Sequence, residues 1–294
     1  MKRNRWMNLL WMVLFFIMQG CTGQSTAPSA EPSPETPVDS GIVSLAPSIT
    51  EWLFALDLGK RVVGVTTACD RPKEAGERPK IGSFMDPNLE AIRATGAEWV
   101  IAVEGGLPPR IAERIQGGNQ KVLLLPSTTI ADSLDSLKLL GDTLGVASRA
   151  EALLTALKKE LEAPSVQKIE SGRSGIVVVS TEPLVVAGPG TFVSELMELA
   201  GVKNRVPKGP VEYPVWDGEE LAKAAPEWIF IATMGSPSAV GSFVDSPIAR
   251  TTPAVQKQQV RSMDPGVILR PGPRMGQAVR AFREALRPSG GESP

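Results

Sequence analysis

The chain has 294 residues, 31 basic and 32 acidic side chains, and no histidine. A balance this close to neutral leaves no basic face for nucleic acid. The missing histidine removes Ser-His-Asp and Cys-His catalysis, zinc hydrolase centres built on imidazole, receptors that hold bare zinc or manganese through histidine, and haem held by histidine. A carboxylate or Ser-Lys mechanism survives on composition, but no residue marks one, and no Gly-rich phosphate loop is present.

In chain order, Lys2, Arg3 and Arg5 give a positive start, and Trp6 to Met18 is apolar apart from Asn8. That run has the length of a signal-peptide core and falls short of the roughly 20 apolar residues a membrane span needs. It ends at Met18-Gln19-Gly20-Cys21, which resembles the bacterial lipobox. Residues 1–20 are therefore expected to be a lipoprotein signal peptide, with Cys21 as the lipidation site. A plain signal peptide or an uncleaved anchor is the alternative, and each of these exports the chain. Residues 21–40 are rich in Ser, Thr, Pro, Glu and Gly and cannot bury a core, so they read as a flexible tether. With Cys21 lipidated, Cys69 has no partner, and no disulfide frames the fold.

The remaining length, about 250 residues, suffices for one large domain or for two lobes with separate cores. Gly41 to Ala46 reads as a short buried strand. Ser48 with Glu51 has capping-box spacing before an apolar helix, Trp52 to Leu58, stopped by Gly59. Strands are expected at Arg61–Thr66, Trp99–Val103 and Lys121–Leu125. Ile130 to Leu144 is an amphipathic helix broken at Gly145. Ser148 with Glu151 reads as a second capping box, opening a helix to about Glu162. From Gly175 to Ser180 the strand pattern restarts. Strands alternating with helices predict an α/β fold. The reading is two Rossmann-like lobes with parallel sheets, residues 41–127 and 169–288, joined through a helical connection at 128–168 that includes a long inter-lobe helix. A ligand cleft is expected between the lobes, and residues 289–294 form a tail.

The lobes repeat one another. Asn88-Leu89-Glu90-Ala91 leads to Ala97-Glu98-Trp99-Val100-Ile101, and Asp217-Gly218-Glu219-Glu220 leads to Pro226-Glu227-Trp228-Ile229-Phe230, at a constant offset of 129. Asn88 and Asp217 are equivalent N-caps. Glu90 and Glu219 occupy equivalent first turns, where the helix dipole favours a carboxylate.

These residues bring a resemblance into view. The chain is similar to the helix-backbone (class III) solute-binding proteins of ABC importers, which include cobalamin, ferric-siderophore and haem receptors, and it looks nearest to the cobalamin-binding members. The matching stretches are Ile42 to Glu51, Val62-Val63-Gly64-Val65, Cys69-Asp70-Arg71-Pro72, Pro87-Asn88-Leu89-Glu90, Trp99-Val100-Ile101-Ala102, Leu196 to Asn204 and Arg270-Pro271-Gly272-Pro273-Arg274. The resemblance implies a binding protein rather than an enzyme, a monomer without a cofactor of its own, whose ligand is a cobalt or iron chelate. It implies permease and ATPase partners, no nucleic acid, and a place on the outer face of a membrane. It assigns permease docking to Glu90 and Glu219, which otherwise read as ordinary first-turn glutamates.

The implied cleft draws on Pro47, Ser48, Cys69, Asp70, Phe84, Met85, Val103, Val185, Tyr213, Trp216 and Arg270. The aromatics that cobalamin receptors place in this cleft are absent at Ala68, Val103 and Val185, while Phe84 and Tyr213 remain. Tyr213 reads as an amphipathic wall residue or a metal ligand, Phe84 as cleft or core, and Cys69 as a buried small side chain or a soft contact. Arg270 and Arg274 read as forks for anionic ligand groups or as structural salt bridges. Cobalamin or a related corrinoid is the expected ligand. A ferric siderophore or haem, the latter requiring Tyr213 as axial ligand, is the alternative, with an exported enzyme lacking histidine behind both.

Overall fold

The computed structural model describes residues 40–166, 172–233 and 239–287. The signal segment, Cys21, most of the tether, the junction at 168/169 and the 289–294 tail lie outside the described residues.

The first sheet contains β1 (Ile42–Ser44), β2 (Val62–Val65), β3 (Trp99–Val103) and β4 (Lys121–Leu125), all parallel in the order β2-β1-β3-β4. Its helices are α1 (Pro47–Ala55), α2 (Lys73–Gly76), α3 (Leu89–Ala94) and α4 (Pro109–Gln116). Two helices, α5 (Ile130–Leu144) and α6 (Ala147–Glu162), carry the chain onward. The second sheet contains β5 (Arg173–Thr181), β6 (Leu184–Val186), β7 (Val202–Asn204), β8 (Trp228–Ile231) and β9 (Val260–Ser262). Its order is β6-β5-β8-β9, with β7 also on β5. All its pairings are parallel except β5 with β6. The associated helices are α7 (Phe192–Leu199), α8 (Gly218–Ala224), α9 (Ala239–Asp245), α10 (Pro253–Gln256), α11 (Pro265–Ile268) and α12 (Met275–Ala285).

Strand alternation decides how the cores join. Successive side chains point to opposite faces of a sheet. In the first sheet Val43, Leu45, Val100 and Ala102 enter a private core with Ile92 and Ile115. In the second, Ile176, Val178, Ile229 and Ile231 enter another with Leu221 and Phe243. The intervening residues, Ile42, Ile101, Val177 and Phe230 among them, share one continuous core with Leu137 and Leu140 of α5 and Leu154 and Leu157 of α6. The lobes therefore do not have wholly separate cores; one face of each sheet leans on a common helical spine. Gly141 permits the close approach within that spine, because a β-carbon there would lie 2.3 Å from Ala150 Cβ. Gly145, left-handed at φ 74, ends α5 as its sequence predicts.

Three local expectations are corrected. The Ser48–Glu51 capping box does not form: Ala46 is the N-cap of α1, without a side-chain bond, and Pro47 sits in its first turn. Proline's preset φ starts the helix there, which puts Ser48 inside it and frees Glu51 for a distant partner. The α6 box fails in the same register: Val146 is the N-cap, again without a side-chain bond, and Ser148 lies one residue inside. Complete capping boxes form instead at Thr129–Asp132 on α5 and Asp217–Glu220 on α8. The predicted helix from Trp52 to Leu58 runs from Pro47 to Ala55.

Candidate functional site

The sheet orders place a topological switch point in each lobe. The chain leaves β1 for β2 on one side and returns to β3 on the other, and β5 stands likewise between β7 and β8. Ligands of open α/β sheets bind outside the carboxyl ends of the strands at such points. Pro47 and Ser48 follow β1, Cys69 and Asp70 follow β2, and Val103 ends β3. Phe84 and Met85 occupy a tight loop closed by the Gly82–Pro87 bridge. The second lobe contributes the segment 211–216, which pairs back on β6 through Val186 N to Pro214 O and Trp216 N to Leu184 O.

Exposure separates these residues. Met85 is 80% exposed, and Val211, Tyr213 and Val215 are 58%, 41% and 62% exposed. The second-lobe stripe has strand period, Val211-Glu212-Tyr213-Pro214-Val215, so sequence alternation could have found its two valines, which were missed. Phe84 and Val103 are half-buried against the shared core. Val185 is half-buried and bridges Val215. Trp216 and Cys69 are core side chains, 7% and 1% exposed. The Cys69 thiol accepts a hydrogen bond from Thr50 Oγ1 at 3.1 Å and shares another with Thr66. Glu90 and Glu219 are exposed in the first turns of α3 and α8. Asn88 Oδ1 accepts from the backbone N–H groups of Glu90 and Ala91, and Asp217 accepts from Glu220 N, so both N-caps predicted by the repeat are made.

Tyr213 is partly exposed, at 41%. Burial and the nearby Glu212 charge raise its pKa, against a lowering hydrogen bond with Thr191. The phenol is therefore neutral at physiological pH.

Arg270 and Arg274 belong to a junction between the lobes. Glu51, 5% exposed, receives Arg274 as a fork, Nε at 2.7 Å and Nη2 at 2.7 Å, and also Arg270 Nη1 at 3.3 Å. Arg270 Nη1 further reaches Asp70 at 2.5 Å. Arg71 pairs with Asp264 at 3.0 Å, and Trp52 Nε1 donates to Pro271 O at 3.2 Å. Residues 264–274 of the second lobe are thus held by 51, 52, 70 and 71 of the first. Burial acts to raise the pKa of Asp70, but the Arg270 hydrogen bond and charge outweigh it and leave it lowered. That pair contributes above the unfolded carboxylate pKa and is lost as pH falls through the lowered value. Because Asp70 is largely exposed, its share is small. No local pattern marks Glu51 as a junction residue, since its partners lie more than two hundred positions away.

A second tie joins α7 to the start of α5. Glu195 Oε2 accepts from Ile130 N at 2.6 Å, and Phe192 N donates to Thr128 O. Burial raises the pKa of Glu195; the Ile130 hydrogen bond opposes it, and the charges of Glu198 and Asp132 add to it. A raised carboxylate favours the fold below its unfolded pKa, and that contribution disappears as pH rises through the folded value. Glu195→Gln keeps an acceptor for Ile130 and removes the charge. The expected result is a higher thermal midpoint at pH 8 and little change at pH 4. Equal effects at both pH values would contradict the assignment.

Comparison with known proteins agrees with this geometry. The Bacillus subtilis protein described as uncharacterized ABC transporter substrate-binding lipoprotein YvrC is 28% identical over 256 residues, 84% of this chain and 80% of that one. The vitamin B12-binding protein of Pectobacterium carotovorum is 27% identical over 206 residues, 68% of this chain and 73% of its own. Among solved structures, the periplasmic heme-binding protein RhuT from Roseiflexus sp. RS-1 superposes with a TM-score of 0.76 at 26% identity, covering 84% of this chain and 99% of that one. The vitamin B12-binding protein BtuF of Vibrio cholerae gives 0.70 at 24% identity, over 84% and 96% of the two chains, a likeness of fold. These relatives are binding proteins, not enzymes. With two switch-point sheets leaning on one helical spine, and with residues 42–267 matching a single family pattern, the chain belongs to the periplasmic binding protein family.

Proposed function

We propose that this chain is the exported, lipid-anchored substrate-binding component of an ABC importer, and that it captures cobalamin or a related corrinoid. The observation that carries the ligand class is the similarity to the vitamin B12-binding relative over two thirds of the chain. The exposed apolar side chains Met85, Val211, Tyr213 and Val215, on loops of both lobes, support a bulky, partly apolar cargo. Cys21 carries the anchor in this reading, and the name of the YvrC relative supports it. Glu90 and Glu219 dock on basic residues of two permease subunits, a pseudo-symmetric acidic pair meeting a symmetric basic partner. Metal enters only inside the cargo, as cobalt or iron chelate.

A ferric siderophore or haem is the second reading, supported by the fold likeness to heme-binding proteins. In that reading haem takes Tyr213 as its axial ligand, since the chain has no histidine.

Titration of the mature chain with cobalamin, cobinamide, haem and ferric siderophores, followed by tryptophan fluorescence or calorimetry, tests the reading. A corrinoid is expected to bind below about 10 μM, near −7 kcal/mol. Tighter binding of haem or a siderophore would favour the second reading, and no binding by any of the four would end the metal-chelate assignment.

A further inference from the structure

The offset of 129 that equates Glu90 with Glu219 also equates Leu89 with Gly218, and each of the latter opens its helix. In the first lobe Leu89 is half-buried on the private core beside Glu90. In the second lobe the equivalent position has no side chain. Ile248, which precedes the short helical turn Ala249–Thr251, fills that space. A β-carbon on Gly218 would lie 3.0, 3.2 and 3.4 Å from the Cγ1, Cγ2 and Cδ1 of Ile248. The side chain lies flat on the start of α8 while remaining 46% exposed.

The charges around it are sorted. Asp217 and Glu220 are engaged with each other's backbone N–H groups in the capping box, and Arg250 pairs with Asp245. Glu219, the residue after Gly218, is exposed in the first turn of α8.

We infer that Ile248 is a docking residue: each docking glutamate follows a helix position occupied by an aliphatic side chain, Leu89 itself before Glu90 and Ile248 over Gly218 before Glu219. The partner surface is a permease subunit presenting a basic side chain next to an apolar patch. A lone exposed isoleucine is unremarkable on any protein surface. Here it takes the position that the other lobe fills from its own helix, and the glycine beneath it is what makes room. Apolar contact around an ion pair excludes water and lowers the local dielectric, so it strengthens the pair it surrounds. This inference rests on the docking reading above.

The test places a photo-crosslinking benzoylphenylalanine at position 248 and, separately, at position 223, one turn from Glu219 on the same face of α8. The full chain is expressed in its own host, and the adducts are identified by mass spectrometry. Both positions are expected to capture the same integral-membrane permease. Capture from 223 but not from 248 would overturn the inference and leave the docking reading standing. Capture from neither would remove the docking reading itself. Against that permease, purified in detergent, Ile248→Ser is expected to weaken affinity about tenfold while the variant remains fully folded at the assay temperature, and Ile248→Leu to retain it. Wild-type affinity in Ile248→Ser would also overturn the inference.

Discussion

Glu51→Ala is expected to lower the unfolding free energy by about 3–5 kcal/mol, the usual loss when one partner of a buried ion pair is removed. The carboxylate is 5% exposed and receives both Arg274 and Arg270. Its loss leaves the bidentate Arg274 guanidinium without a counter-charge, and leaves Arg270, whose side chain is only 10% exposed, with the exposed Asp70 alone. Asp70→Asn is the contrast. That carboxylate is 62% exposed, and its removal is expected to cost less than about 1 kcal/mol. Urea unfolding followed by tryptophan fluorescence measures both. If Glu51→Ala and Asp70→Asn cost the same small amount, the junction is held by the shared core and the ion pairs contribute little. The second consequence of the same network concerns ligand: an Arg270 already engaged by Glu51 and Asp70 is a structural residue of the junction in this conformation.

The second large effect is on transport. Glu90→Ala combined with Glu219→Ala is expected to abolish import while ligand affinity stays at the wild-type value. Both side chains are exposed in first turns, and the N-caps Asn88 and Asp217 remain in place. The cost to stability is therefore limited to the dipole contribution of each carboxylate, about 0.3–1 kcal/mol. Uptake of labelled ligand by whole cells and calorimetry on the purified variant separate the two properties. Loss of ligand binding in the double variant would move these residues from the docking face to the binding site. Undiminished uptake would remove them from function altogether.

The elements most legible in the sequence are those whose pattern is local. Trp99–Val103, Lys121–Leu125 and Ile130–Leu144 form at the predicted bounds, because an apolar run between turn residues and an amphipathic stretch ended by glycine each carry their own boundaries. The repeat located both N-caps, Asn88 and Asp217, for the same reason: a cap is satisfied within three residues. The two failed capping boxes show the limit of that reasoning. Spacing between Ser and Glu is necessary for a box, but the helix start is set by its neighbours: Pro47 in α1, and Gly145 with Val146 ahead of α6. A shift of two residues, from Ser48 to Ala46 as N-cap, then converts Glu51 from a local cap into the centre of an inter-lobe junction.

The candidate site divides in the same way. Glu90 and Glu219 were visible because they repeat, and Tyr213 because it is the one tyrosine of the chain. Whether Cys69 and Trp216 face a ligand or the core could not be read from residue type, since both kinds of side chain suit both places. Burial answers it, and burial depends on which strands lie alongside.

By itself the sequence determined the alternation of strands and helices, the internal repeat, the neutral charge balance and the exclusion of histidine chemistry, all properties of residue identity and short-range spacing. Only the tertiary structure decided that one core runs through both lobes, that Arg270 and Arg274 clamp Glu51, and that Ile248 occupies the place of a missing side chain on Gly218. Each of these joins segments far apart in the chain. The ion pairs are made only once folding has brought their elements together, because the attraction that offsets the cost of desolvating the charges acts only when they stand a few ångströms apart in a lowered dielectric.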